Sequence, residues 1–106
     1  MKLVIAIVQK EDSNKLQHAF IKANIRATKL ATTGGFLSEG NTTFLIGTPD
    51  DQVEQVLDVI KSKSEAREEY VRPNLIPNDM DISIPVKVTV GGATCFVVNV
   101  DEFKRF

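Results

Sequence analysis

The residues best equipped for chemistry in this 106-residue chain lie between Asn24 and Gly47. That stretch concentrates Asn24, Arg26, Thr28, Thr32, Thr33, Gly34, Gly35, Phe36, Asn41, Thr42 and Thr43. Arg26 can pair bidentately with a phosphate. The paired glycines let backbone N–H groups approach phosphate oxygens. Phe36 can stack on a base, and Asn and Thr side chains can read base or ribose edges. The set therefore suits an anionic ligand with a planar ring. The simpler reading is a flexible Gly34-Gly35 loop with Phe36 as a buried anchor. Local charge supports the first: Arg26 and Lys29 against Glu39 give +1 over residues 24–47, while residues 50–69 carry seven acidic and three basic side chains, or −4.

Catalytic sets are harder to assemble. His18, the single histidine, falls on the polar face of the first predicted helix, and its simpler reading is a solvent-exposed side chain. No Ser/His/Asp set is evident. The single Cys95 sits in an apolar strand, where it reads as a small core residue. One His and one Cys do not make a zinc site of the usual soft ligands, and a lone cysteine cannot form an internal disulfide. Asp50-Asp51 reads as a dipole-favoured helix start and Glu68-Glu69 as a solvated turn.

Composition bounds the rest. Thirteen basic against fourteen acidic residues leave a net charge of −1, which argues against a nucleic-acid polymer bound through bulk charge. The length suits one domain, residues 1–106. The apolar run Leu3 to Val8 is too short to cross a membrane and lacks a signal-cleavage pattern, so a cytoplasmic protein without membrane attachment is expected.

The elements that must position these residues follow from periodicity. Leu3 to Val8 is a β-branched run, a strand buried on both faces. The cluster Glu11-Asp12-Ser13-Asn14 supplies helix N-cap types, and Leu16, Ala19, Phe20 and Ala23 repeat as one helix face, closed by Asn24 as C-cap. Residues 26–33 read as a polar strand and 41–47 as an apolar one, and the short loop between them makes the pair antiparallel. Thr48 as N-cap, Pro49 at the first helical position and Asp51 near a capping box predict a second helix with Val53, Val56, Leu57 and Ile60 inward. Residues 64–85 form a long loop flanked by strand-like 69–71 and 86–90. Gly91-Gly92 marks a turn into a last strand, 93–100. The order β-α-β-β-α-β predicts an α+β, ferredoxin-like sandwich with an extra hairpin and a long loop before the last strand.

Two helices cover one sheet face only, yet the strands do not alternate. Leu3, Ile5 and Ile7 oppose Val4, Ala6 and Val8, and Phe96, Val98 and Val100 oppose Cys95 and Val97. The second face is therefore apolar, and a homo-oligomer packed through it is expected. The alternative is that the loop at 64–85 folds beneath the sheet.

The whole chain resembles the PII-like cyclic di-AMP receptor proteins of Gram-positive bacteria. The resemblance is carried by Met1 to Gln9, Thr28-Lys29-Leu30-Ala31-Thr32-Thr33-Gly34-Gly35-Phe36-Leu37, Gly40-Asn41-Thr42-Thr43-Phe44, Gly91-Gly92-Ala93-Thr94 and the closing Phe103-Lys104-Arg105-Phe106. It implies a non-enzymatic signal-transduction protein: a homotrimer binding the second messenger cyclic di-AMP in three inter-subunit clefts, with no cofactor or metal. Occupancy would pass through loops to an unidentified protein partner. It also implies the contacts: Asn24, Arg26 and Thr28 on the second strand; Gly35, Phe36 and Leu37 in the loop; Asn41 and Gly47 on the third strand; Gly92 and Phe96 from the neighbouring subunit's end of the cleft. Ordinary PII regulators differ in two respects. Here the short loop lacks a modifiable tyrosine, Tyr70 being the single one, and the turn Val90 to Thr94 lacks the lysine they use for ATP. Both departures argue against ATP and 2-oxoglutarate sensing. The alternative function is a trimeric metal-tolerance or scaffold protein of the related copper-tolerance type.

Overall fold

The computed structural model describes residues 1–30, 40–71 and 85–106. Strand β1 (Lys2–Gln9) leads into helix α1 (Lys10–Lys22), a short strand β2 (Thr28–Lys29) and strand β3 (Asn41–Thr48). A 3-10 turn (Asp50–Gln52) opens helix α2 (Val53–Ser64), followed by β4 (Arg67–Val71), β5 (Val86–Val90) and β6 (Ala93–Asn99). The main sheet runs β2-β3-β1-β6, and β4-β5 form a separate antiparallel pair. Both neighbours of β1 are antiparallel to it. This mixed α/β arrangement, an antiparallel sheet with two helices, is compatible with the sandwich expected from the element order.

The continuous apolar run explains why β1 sits inside the sheet. Its Val4, Ala6 and Val8 are fully buried with Phe44 and Ile46 of β3, Leu16 and Phe20 of α1, and Val56 and Ile60 of α2. Phe20 and Phe44 meet edge to face at the centre, ring centroids 5.6 Å apart. The opposite face carries Leu3, Ile5 and Ile7, aligned with Leu45, Phe96 and Val98 across the register. Phe96 is 52% exposed and Val98 41%. On this face Thr43 is also buried, and its hydroxyl has no hydrogen-bond partner among the described residues. The expected second apolar face therefore exists in the single chain. Val97, expected to point inward, is 42% exposed because β6 is the sheet edge.

Several boundaries differ from expectation. Helix α1 begins at Lys10, so Asp12 and Ser13 lie inside its first turn and are buried rather than capping it. Thr48 completes β3 instead of capping α2, and its hydroxyl donates to the Pro49 carbonyl. Pro49, with extended ψ of 152°, precedes the 3-10 turn, so α2 proper starts four residues later than the Pro-at-first-position reading. Glu68 and Glu69 belong to β4, not to a turn. Among the described part of residues 26–33, only Thr28 and Lys29 pair as strand, against Leu45 and Phe44. Residues 31–33, the Gly34-Gly35 interruption and the loop at 72–84 lie outside the described residues.

Candidate ligand-binding site

Helix α1 ends in a way that aims the candidate residues. Asn24 adopts the left-handed conformation (φ 57°), its N–H donates to the Ile21 carbonyl, and the Ile25 N–H donates to the Phe20 carbonyl. This is the Schellman pattern, which satisfies two orphan carbonyls and turns the chain sharply. Ile25 and Ala27 then pack on the core, while Asn24, Arg26 and Thr28 alternate outward and are exposed. A period of two along the extended segment thus puts all three polar side chains on one side.

Asn24 and Arg26 line a cleft of about 280 Å³ with Ile46, Gly47, Thr48, Pro49 and Gln52. Gly47 is exposed, and a Cβ there would come within 3.2 Å of the Met1 side chain, so its lack of a side chain keeps this wall low. Among the described residues Arg26 has no ion-pair partner, leaving its five donors to an anion. Thr28, on the sheet-edge strand, pairs with Leu45 and does not line this cleft.

Asn41 and Gly92 lie at the other end of the sheet. Asn41 faces Gln9 in the register, and Gly92 immediately precedes β6, whose Ala93 pairs with Val8. Asn41 and Gly47 are six positions apart, which is about 20 Å along an extended strand. Within one chain, therefore, the Asn24–Arg26–Gly47 group and the Asn41–Gly92 group are well apart. Phe96 lies between the ends, opposite Ile5 on the apolar face. Gly35, Phe36 and Leu37 lie outside the described residues.

Sequence reasoning missed the polar junction beside Asn41. Arg67 of β4 grips Asp12 of α1 with both guanidinium nitrogens, Nη2–Oδ1 at 2.8 Å and Nη1–Oδ2 at 3.2 Å. Lys15 adds a contact to the same carboxylate at 3.1 Å. These cations hold the Asp12 carboxyl below its ordinary range, the Arg67 hydrogen bond being the largest cause, and the pairing pushes the Arg67 guanidinium further up. The partners are 55 residues apart, so no local spacing announces them.

The catalytic candidates remain dispersed. His18 is exposed in a groove between the helices with Lys15, Lys22 and Lys63. Cys95 packs against the core, and partial burial pushes its thiol pKa up. Among the described residues no group of three or more His, Cys, Asp or Glu is placed to hold a metal ion, and no helix is long and apolar enough to cross a membrane.

Comparison with known proteins gives this geometry a context. A solved structure, described as a functionally unknown protein from Pediococcus pentosaceus ATCC 25745, is 53% identical, with a TM-score of 0.80 over 99% of this chain and 96% of that one. The cyclic-di-AMP receptor family model matches residues 1–106. With the match spanning every residue, the chain belongs to the cyclic-di-AMP receptor family.

Proposed function

We propose that this protein is a non-enzymatic, cytoplasmic signal-transduction receptor with the PII-like form of the ferredoxin-like sandwich. It assembles as a homotrimer through its second, apolar sheet face. It binds cyclic di-AMP in the clefts between neighbours, using no cofactor, and relays occupancy through its loops to a protein partner. The observation that carries the reading is the full-length family match. The cleft supports it chemically. Arg26 offers a free fork to one phosphate, with Asn24 beside it in the cleft and Thr28 on the same side of the segment for polar edges of the ligand. Phe36 and Leu37 would cover an adenine face, and the backbone near Gly35 would donate to phosphate oxygens.

The separation of the two residue groups supports a site shared between chains. One protomer would contribute Asn24, Arg26, Thr28 and Gly47, and its neighbour Gly92, at the far end of the sheet, with Phe96 midway along β6 on the apolar face. The exposed Phe96 and Val98 fit a face that is covered by another copy. No observation favours the metal-tolerance alternative.

A ligand that binds only the folded protein raises its melting temperature by mass action. Thermal unfolding with cyclic di-AMP, cyclic di-GMP, ATP and ADP therefore tests the reading. A concentration-dependent rise with cyclic di-AMP and none with the other three is expected. The absence of a shift with cyclic di-AMP would overturn it.

A further inference from the structure

The β4-β5 hairpin pairs with no strand of the main sheet among the described residues, so its orientation depends on what holds its base. That base is a dense junction. Asp12, only 1% exposed, receives both Arg67 nitrogens from the start of β4. The Gly91 backbone lies directly on this pair: a Cβ there would fall 2.5 Å from Arg67 Nη1, 2.8 Å from the Glu65 carbonyl and 3.3 Å from Asp12 Oδ2. At φ 79° the position favours glycine conformationally as well. The Gly91 N–H is held by Gln9 Oε1 at 2.8 Å, and the next N–H, of Gly92, donates to the Ser64 carbonyl at 2.6 Å. Gln9 in turn pairs with Asn41 in the sheet register.

Asn41 and Gly92 are thus in mechanical series with Arg67. On its Cβ side Gly91 is hemmed in by Arg67 Nη1 and the Glu65 carbonyl, so a shift of Gly91 toward them must move the guanidinium, whereas Gly92 borders open space. Arg67 also has a second acceptor, Glu69 on its own strand, with Nε–Oε1 at 3.3 Å. Arg67 thus spans Asp12 of α1 and Glu69 of its own strand at once, tying the base of the hairpin to the helix.

We propose that the Asp12–Arg67 pair, seated beneath Gly91, is the joint through which ligand contact at Asn41 and Gly92 sets the position of the β4-β5 hairpin, making that hairpin the partner-facing output. Asp12 and Arg67 are positioning residues in this scheme, not ligand contacts. The inference rests on the receptor reading above and specifies its regulation.

The protein supplies its own reporter, since it has no tryptophan and its single tyrosine, Tyr70, is an exposed residue of β4. The experiment titrates the full chain with cyclic di-AMP. Calorimetry follows binding, while Tyr70 fluorescence anisotropy and amide exchange of β4 and β5 follow the hairpin. Wild type is expected to bind and to change both hairpin signals at saturation. Asp12→Asn is expected to bind within about threefold of wild type with most of the hairpin response lost. If Asp12→Asn does not fold, Arg67→Gln on the hairpin strand takes its place with the same expectation. A wild type that binds without a hairpin response, or a folded variant that keeps the full response at saturation, would overturn the joint and leave the receptor reading standing. No binding of cyclic di-AMP by wild type would overturn both.

Discussion

Asn24 combines a structural and a proposed binding task in one side chain. Its left-handed backbone closes α1, and its exposed side chain stands at the head of the alternation that brings out Arg26 and Thr28. An L-residue other than Asn, Asp or Gly is strained there by about 1–2 kcal/mol. Asn24→Val is therefore expected to lower stability by about that amount in urea unfolding, whereas Asn24→Gly should stay near wild type and isolate the side chain's part in binding. The helix-closing role is legible in the sequence, because an asparagine after an i, i+3, i+4, i+7 run is a recognised helix stop. The proposed contacts at Gly47 and Gly92 are not legible from spacing; they rest on the family resemblance and on which strand ends would meet between copies.

At the scale of elements, the two helices and the central strand follow directly from apolar periodicity. Leu16, Phe20, Val56 and Ile60 are buried as their spacing requires. The helix starts differ from the cap expectation for one shared reason: Asp12 is taken up by Arg67 across the chain and Thr48 by the sheet. A tertiary partner overrode a local preference in each case. The Asp12 pairing has a measurable consequence. Its carboxyl is held below its ordinary value near 4 in the folded protein, so the folded form binds fewer protons there than the unfolded form. The resulting stability is present in full above the unfolded pKa and is lost as pH falls below it toward the folded value. Urea midpoints should thus be steady from pH 7 to about 5 and decline below about 4. Asp12→Asn should flatten part of that decline. Asp50, also held low by the Met1 amino group, should retain the remainder.

For the whole molecule, the decisive sequence feature is the failure of β1 and β6 to alternate. A lone sheet with helices on one side and water on the other would carry polar residues where this chain has Leu3, Ile5, Ile7, Phe96 and Val98. Sedimentation equilibrium is expected to give three times the 11.7 kDa chain mass at micromolar concentration, and Ile5→Glu, at the middle of the second, apolar face, is expected to give the single-chain mass. The proposed shared cleft would follow from that assembly. The near-neutral net charge argues against a nucleic-acid polymer, while the local excess around Arg26 suits a small dianion. Calorimetric titration with cyclic di-AMP tests this account most directly. It predicts saturation at one ligand per chain for wild type and, for Arg26→Ala, a correctly assembled protein binding about 10–100-fold more weakly, the cost of one charge-assisted contact. No heat with wild type, or unchanged affinity in Arg26→Ala, would contradict it.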